Sequence, residues 1–225
     1  MNIEIAANFY NNSGITEDNL PFSMRSKMLF DRVRKHCETL IFPGSTSLEI
    51  GCGNGRHCFE LEKMGSICTG VDCADEIVKF ANDYAQKNGS KSNFVVQDAV
   101  SLSFEKSAFD FAFLLGNNIV EFSYSDIDKL CDRLVRILKP TGIFCVSMND
   151  IPQNLDCLIR DSIEYDYENA KITSNYTIPD RGVYSYEGHI WTVGMAKHIF
   201  STHFCEVDVK KIGDTYFWLE CRNSG

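Results

Sequence analysis

The sequence predicts a doubly wound α/β fold, in which a mostly parallel β-sheet is covered by helices on both faces. Three observations predict it. Short apolar runs alternate with amphipathic helical patterns between residues 46 and 150. A glycine-rich turn follows the first apolar run, and acidic residues end the second and third. Continuous apolar strands that alternate with helices are typical of parallel sheets buried on both faces.

The elements of this core can be predicted in chain order. A helix is expected from Met24 to Leu40, where apolar residues recur every three to five positions. Two further helices lie between the strands; one stops at Asn88, and the other has Ser125 or Asp126 as its N-cap and stops at Pro140-Thr141-Gly142. The predicted strands are residues 47–51, 66–72, 93–99, 109–116 and 142–148.

After Asp150 the pattern changes to short alternations rich in Tyr, Ile and Thr, with turn signals at PDRG and YEGH. This pattern predicts an antiparallel strand insert. A helix around 192–203 and two strands joined by a Gly-Asp turn follow. We therefore expect four segments: an N-terminal helical cap at 1–45, the α/β core at 46–150, a strand-rich insert at 151–191, and a last helix and strand pair at 192–225 that complete the core sheet.

The composition is that of an ordinary soluble globular protein, with 225 residues, 44% of them hydrophobic and 24% charged. The net charge of −9 argues against a nucleic-acid partner, because such proteins usually carry a basic patch. No apolar run approaches the roughly 20 residues that a membrane helix needs. The first residues lack the basic start and apolar core of a signal peptide, so a cytoplasmic location is expected and a membrane partner is not.

The ten cysteines invite a metal or disulfide interpretation. None of them forms the C-x-x-C pairs of zinc or redox sites, and several lie in apolar strand-like runs. In a chain without a signal peptide, small buried thiols are the better interpretation. We expect no metal site.

The glycine-rich turn in LEIGCGNGRHCFEL, residues 48–61, carries glycines at positions 51, 53 and 55. Open α/β sheets bind ligands at the carboxyl ends of their strands, and glycines let backbone N–H groups approach a ligand closely. The turn lacks the lysine of a phosphate-binding loop, and Arg56 stands where a dinucleotide fingerprint has its third glycine. A tight turn without a ligand is the alternative.

Acidic residues around this turn narrow the ligand class. Glu49 precedes the glycines, which favours a ligand that carries an ammonium or sulfonium group over one that carries phosphates. Asp72 ends the second strand, where a carboxylate can accept hydrogen bonds from both hydroxyls of a ribose. Its alternative role is to cap the next helix. Asp98 ends the third strand and either accepts from an adenine amino group or is a loop residue.

Together the segments LEIGCGNG, VDCAD, QDA, FDFAFLLGNN and LKPTGIF resemble the ordered motifs of class I S-adenosylmethionine-dependent methyltransferases. The resemblance covers about residues 46–148 and depends on the order and spacing of the motifs. It implies a Rossmann-like, seven-stranded sheet whose last strand is inserted antiparallel. It also implies S-adenosylmethionine as the cofactor and S-adenosylhomocysteine as the product.

The resemblance implies a cofactor site at the carboxyl ends of the first four strands. The methionine part would lie at the glycine turn, the ribose and adenine at the second and third strand ends, and the reactive methyl at the fourth. In small-molecule members an N-terminal segment folds over the cofactor and supplies a Tyr and an Arg; for the Arg here, a solvent-facing helix position is the alternative. The residues concerned are Tyr10, Arg25, Glu49, Gly51, Cys52, Gly53, Asp72, Cys73, Asp98, Ala99, Leu115, Gly116 and Asn117.

Missing motifs limit the acceptor class. The segment LGNN has no proline, which disfavours methylation of nucleobase amino groups, and no acid, which disfavours metal-dependent catechol methylation. Only Glu121 follows it, whereas protein arginine methyltransferases use a pair of glutamates. FLLGNNIVEF and the strand-rich insert resemble the glycine and sarcosine N-methyltransferase group, which implies a small-molecule acceptor, most readily an amine. Alternatives are O-methylation of a small molecule, a cofactor-binding scaffold without catalysis, and a nucleotide-binding oxidoreductase, which Arg56 disfavours.

In an enzyme of that group the insert would form a lid over the acceptor. The candidate catalytic residues are Tyr184 and His189. The candidate substrate-binding residues are Asn118, Glu121, Arg181, Tyr186 and Trp191. For the residues of the insert, packing within the strands is the alternative role. The oligomeric state stays open.

Overall fold

The computed structural model describes residues 7–8, 11, 24–150, 160–166, 168–178 and 182–223. Its helices are α1 (Met24–Leu40), α2 (Arg56–Lys63), α3 (Asp75–Asn88), α4 (Tyr124–Ile137) and α5 (Val193–His203). Its strands are β1 (Thr46–Ile50), β2 (Ile67–Asp72), β3 (Asn93–Val96), β4 (Phe109–Leu114), β5 (Leu138–Asn149), β6 (Arg160–Asp166), β7 (Lys171–Ile178), β8 (Gly182–His189), β9 (Glu206–Lys211) and β10 (Tyr216–Arg222).

The main sheet has seven strands in the order β3-β2-β1-β4-β5-β10-β9. The first five are mutually parallel, whereas β10 runs antiparallel to both of its neighbours, β5 and β9. The predicted doubly wound fold with an antiparallel last strand is confirmed. Because the strand order changes direction between β1 and β4, a crevice forms at the carboxyl ends of these two strands, which is where such sheets bind ligands.

Apolar side chains on both faces of this sheet explain why the strands read as continuous hydrophobic runs. In β4, five of the six residues are buried, and Asp110 is the exception. The larger cluster packs α4 and α5 on one face, and the other cluster packs α1, α2 and α3 on the opposite face. Helices on both faces are what a parallel sheet requires.

The start and end of α4 differ from the prediction. Ser123 is the N-cap, and it forms a capping box with Asp126: its hydroxyl accepts from the Asp126 N–H while the Asp126 carboxylate accepts from the Ser123 N–H. Ser125 is therefore not the cap. The Pro140-Thr141-Gly142 segment is not the stop either, since the helix ends at Ile137 and these residues lie in β5.

Strands β6, β7 and β8 form a separate three-stranded antiparallel sheet, which confirms the predicted strand-rich insert. The loop between β9 and β10 contains Gly213-Asp214, as expected, and Gly213 N–H donates to the Tyr216 carbonyl. Within the described ranges, no helix combines the length and apolar character needed to cross a bilayer.

The described cysteines are free thiols, and most of them are buried. Cys37, Cys52, Cys58, Cys68 and Cys145 all belong to the core cluster that packs beneath α1 and α2. In this part of the chain no three His, Cys, Asp or Glu side chains are placed to hold a metal ion. The buried thiols therefore act as small apolar side chains.

We expect Ser123→Ala to lower the free energy of unfolding by about 1 kcal/mol, because it removes the side-chain acceptor of the α4 capping box. Ser125→Ala is the matched control: Ser125 is exposed one residue into the same helix and should change stability by less than about 0.5 kcal/mol. Urea denaturation followed by circular dichroism measures both variants. An equal loss in the two would contradict the assignment of Ser123 as the cap.

Candidate functional site

The loop between β1 and α2 has three glycines in the left-handed region, with φ of +67° at Gly51, +52° at Gly53 and +81° at Gly55. Two of them are also required by close packing. A Cβ at Gly51 would lie 2.8 Å from the side-chain nitrogen of Asn118, and one at Gly55 would lie 2.5 Å from the ring of Phe94. The chain itself therefore approaches the backbone closely at these two positions, and a ligand is not needed to explain them.

Asn118 connects the glycine loop to the end of β4. Its Nδ2 donates to the Gly51 carbonyl oxygen at 2.8 Å. Asn118 begins a 3-10 turn, Asn118–Glu121, that follows β4 directly. The contact holds the two sides of the crevice at a fixed separation.

Asp72 closes the loop from the end of β2. Its Oδ2 accepts from the Gly53 N–H at 2.9 Å, and its Oδ1 accepts from the Ala74 N–H at 3.0 Å. Burial raises the pKa of this carboxyl, although the hydrogen bonds from Ala74 and Gly53 oppose that effect. The carboxylate thus orders both the loop and the start of α3, and each oxygen retains acceptor capacity for a ligand.

Glu49 lies on β1 and is only 1% exposed. Its Oε1 lies 2.7 Å from Nδ1 of His57, and its Oε2 accepts from the N–H and the thiol of Cys58 at 3.1 Å and 3.0 Å. Both oxygens therefore contact the first turn of α2. Glu49 lies beneath the glycine loop, and its carboxylate satisfies a backbone N–H that the helix start leaves unbonded.

The end of β4 supplies the opposite wall of the crevice. Gly116 N–H donates to the Ser147 hydroxyl at 3.0 Å, and that hydroxyl is 3.0 Å from the Tyr216 hydroxyl. Asn117 has a φ of +69°, and its Oδ1 accepts from the Asn149 N–H at 2.8 Å. Leu115 is buried in the core, so this segment offers its backbone to the crevice.

The ends of β2 and β3 bring the remaining predicted cofactor residues together. Asp98 caps a short 3-10 turn that begins at Ala99, with Oδ1 accepting from the Val100 N–H at 3.1 Å. Burial and, after it, the carboxylates of Asp72, Glu121 and Asp98 raise the pKa of the Cys73 thiol to about 12. Cys73 is therefore surrounded by the acidic side chains of the site. Cys52 instead packs its side chain into the core.

The three-stranded sheet meets the site at the 3-10 turn after β4. The Tyr186 hydroxyl donates to Glu121 Oε1 at 2.7 Å, and the two residues are 65 positions apart in sequence. His189 lies at the end of β8, and burial lowers the pKa of its imidazole below the usual value. Glu121, Tyr186 and His189 are the predicted acceptor-side residues whose side chains the structure describes near this joint.

Trp191 occupies a different environment. It is 2% exposed within the main core cluster, its ring stacks on Tyr124, and its Nε1 donates to the Phe122 carbonyl oxygen at 2.9 Å. These contacts are those of a packing residue that attaches the end of the insert to the core, rather than of a pocket wall.

The side chains of four predicted site residues lie outside the described part of the structure. Tyr10 and Arg181 lie outside the described residues. Arg25 lies on α1 and Tyr184 on β8, but their side chains fall outside the described part of the structure. Their assigned roles stay predictions.

Several residues of the site were missed by the sequence analysis. His57 carried a local signal, since it lies in the first helical turn after the glycine loop and eight positions after an acidic residue that ends a strand. Ser147 and Tyr216 carried none, because their contact joins residues 69 positions apart. Only the antiparallel pairing of β5 with β10 places them together.

The sequence is similar to those of known methyltransferases. Residues 48–142 match the family model described as "Methyltransferase domain". The ubiquinone biosynthesis O-methyltransferase of Bartonella tribocorum is 27% identical over 124 residues, which is 55% of this chain and 49% of that protein. The chain spans about half the length of the curated relatives it matches.

Solved structures share the whole fold. The PH0226 protein from Pyrococcus horikoshii OT3 superposes with a TM-score of 0.78 at 23% identity, covering 97% of this chain and 99% of that one. An S-adenosylmethionine-dependent methyltransferase from Clostridium acetobutylicum ATCC 824 gives a TM-score of 0.69 at 14% identity, covering 99% and 98%. At these identities the similarity concerns the fold.

The fold, the ordered motifs and the family match agree. Residues 48–142 match a methyltransferase domain, and the order of the sheet is the one expected for a class I S-adenosylmethionine-dependent methyltransferase. The match supports the predicted family and its cofactor, S-adenosylmethionine.

We expect Asp72→Ala to weaken binding of S-adenosylhomocysteine by about 10- to 100-fold, because the loop loses its anchor and the ribose loses an acceptor. Asp83→Ala, an exposed position on α3, is the control and should leave affinity unchanged. Isothermal titration calorimetry measures both variants, with thermal unfolding as a check on folding. Unaltered affinity in a folded Asp72→Ala protein would contradict this role.

Proposed function

We propose that this protein transfers a methyl group from S-adenosylmethionine to a small-molecule amine. The observation that carries the proposal is the convergence of the glycine loop, Asp72, Asp98 and Gly116 at the carboxyl ends of β1 to β4. These strand ends lie at the point where the strand order reverses, and the domain match covers all of them.

The residues present suit this cofactor. Asp72 retains lone pairs for the ribose hydroxyls, and Asp98 with Ala99 follows β3, the next strand outward, where the adenine would lie. Glu49, Gly51 and Gly53 would lie beside the methionine part, with Glu49 beneath the loop. Gly116 and Asn117 would border the reactive methyl, at the start of the turn that follows β4.

When bound, the cofactor supplies an activated methyl on its sulfonium, so the protein needs no nucleophile of its own. What the chain provides is alignment of donor and acceptor, exclusion of water and removal of a proton. Because burial lowers its pKa, the His189 imidazole stays neutral at neutral pH, the form that accepts a proton. Tyr184 is a second candidate for this role.

The charge of the site supports an amine acceptor. Glu121 and Asp98 both act electrostatically on Cys73, whose pKa they help to raise, and Glu121 contacts the insert through Tyr186. Carboxylates attract an ammonium group and can orient its N–H bonds. Glu121 is held in place by the Tyr186 hydroxyl, so the insert and the core share one acidic recognition point.

The insert, residues 151–191, acts in this proposal as a lid over the acceptor. Support for this role comes from its attachment to the turn after β4 through Tyr186 and Trp191. The proposal also keeps the predicted role of residues 1–45 as a cap over the cofactor. Asn118, Arg181 and Tyr186 would line the acceptor pocket between these parts.

O-methylation is the second candidate. It is favoured by the relative from Bartonella tribocorum, which is named as a ubiquinone biosynthesis O-methyltransferase. Chemistry separates the two candidates: an amine acceptor requires recognition of a cation, which Glu121 provides, whereas a hydroxyl acceptor does not.

Product identification tests the proposal. The protein is incubated with methyl-labelled S-adenosylmethionine and a metabolite extract, and labelled products are separated by cation exchange and identified by mass. We expect the label in a basic compound. Label in a neutral or acidic ether would favour O-methylation, and calorimetry without heat from S-adenosylhomocysteine would contradict the methyltransferase proposal altogether.

We expect Glu121→Gln to raise the KM for the amine identified in this way by at least about tenfold, because the neutral amide no longer attracts the ammonium. The affinity for S-adenosylhomocysteine should change little. Glu164→Gln, at an exposed position of the insert, is the matched control. A KM unchanged by Glu121→Gln would contradict the role of Glu121 in acceptor recognition.

A further inference from the structure

We propose that His57 binds the carboxylate at the amino-acid end of S-adenosylmethionine, and that Glu49 positions the imidazole for this contact. The inference rests on the proposed function, because it assigns one contact of the same cofactor. The sequence analysis gave no role to His57. It placed an Arg at position 25 over the cofactor instead, and that side chain lies outside the described part of the structure.

The His57 ring is held on three sides. Its Nδ1 lies 2.7 Å from Glu49 Oε1, so this nitrogen donates to the buried carboxylate. The ring stacks on Phe30 of α1, with centroids 5.1 Å apart. Its Cε1 lies 3.9 Å from the position that a Cβ would take at Gly116. The ring therefore reaches from the glycine loop, which is assigned to the methionine part of the cofactor, toward the end of β4, which is assigned to its reactive methyl.

One polar atom of this ring is left for a ligand. Nδ1 is used by Glu49, and across the ranges that the structure describes Nε2 makes no hydrogen bond. Nε2 adjoins Cε1, the atom next to Gly116. The side chain is 11% exposed, so a ligand group that reaches Nε2 is largely shielded from water. A hydrogen bond to a charged group is strongest in such a place.

The charges around the loop favour this contact. Glu49, Asp72 and Asp98 are acidic, which suits the sulfonium, the ammonium and the ribose but repels the cofactor's own carboxylate. The first turn of α2 has the opposite character. It carries His57 and Arg56, whose guanidinium lies 5.5 Å from the centre of the Phe30 ring, and its N-terminal backbone groups are electropositive. A carboxylate is most favourably placed there.

The hydrogen bond to Glu49 also fixes the orientation of the His57 ring, as a carboxylate does for a metal-binding histidine. With Nδ1 donating to Glu49, Nε2 can donate to the ligand only from the imidazolium form, in which both nitrogens carry a proton. The imidazolium would then lie between two carboxylates, one from the protein and one from the ligand.

Two ligands that differ only at the amino-acid end separate recognition from a structural role. S-adenosylhomocysteine carries the carboxylate, and 5′-methylthioadenosine lacks the amino-acid end. Calorimetry with each ligand on the whole chain compares wild type, His57→Ala, His57→Gln, Arg25→Ala and Asp72→Ala. His57→Gln keeps a side-chain N–H donor and also serves if the alanine variant does not fold.

We expect His57→Ala to weaken the binding of S-adenosylhomocysteine by about tenfold or more. The affinity for 5′-methylthioadenosine should change by less than about twofold. His57→Gln should lose less than the alanine variant for the first ligand, and Asp72→Ala should weaken both. Equal losses for the two ligands in the His57 variants would show a structural role and overturn the inference. So would undiminished binding of S-adenosylhomocysteine, or a selective loss in Arg25→Ala instead. If wild type binds neither ligand, the proposed function itself fails.

Discussion

The buried carboxylate of Glu49 is the interaction on which the rest of the site depends. Burying a carboxylate in an α/β core destabilises the fold unless its oxygens accept hydrogen bonds. Glu49 is 1% exposed, and groups in the first turn of α2 contact both of its oxygens. The helix start and the strand end are thereby fixed to each other. The glycine loop between them follows a defined path, because the Gly51 and Cys52 N–H groups donate to the Val71 carbonyl oxygen and the Gly53 N–H donates to Asp72.

The reversal of strand order between β1 and β4 places this arrangement at a crevice in which a ligand can bind. The glycine loop follows β1, the carboxylates of Asp72 and Asp98 lie at or just after the ends of β2 and β3, and a glycine-containing backbone segment follows β4. In the proposed function these strand ends take the methionine part, the ribose, the adenine and the reactive methyl of the cofactor. The Asn118 contact with Gly51 then sets the width of the crevice.

Two contacts join the described part of the insert to the core. Tyr186 donates to Glu121 beside the crevice, and Trp191 is buried in the core where the chain leaves the insert. The first contact holds β8 to the turn after β4, and the second holds the end of the insert to the main core cluster.

The sequence by itself determined the order of strands and helices, and it predicted that the candidate cofactor residues would meet at neighbouring strand ends. Strand periodicity, glycines at a strand end and acids after the next two strands are local patterns, and a parallel sheet makes such strand ends neighbours. Even so, the local pattern predicted the wrong N-cap for α4. Two serines lie close together at the start of this helix, and only the structure shows that the Ser123 hydroxyl is the one that accepts from the Asp126 N–H.

Only the tertiary structure decided which polar groups remain available. Glu49 is consumed by His57 and Cys58, and the close approach at Gly51 and Gly55 comes from Asn118 and Phe94. Trp191 packs in the core, and Tyr186 meets Glu121 across 65 residues. Such facts depend on contacts between segments far apart in sequence, which no local pattern encodes, because burial and hydrogen-bond partners are fixed only when the chain closes on itself.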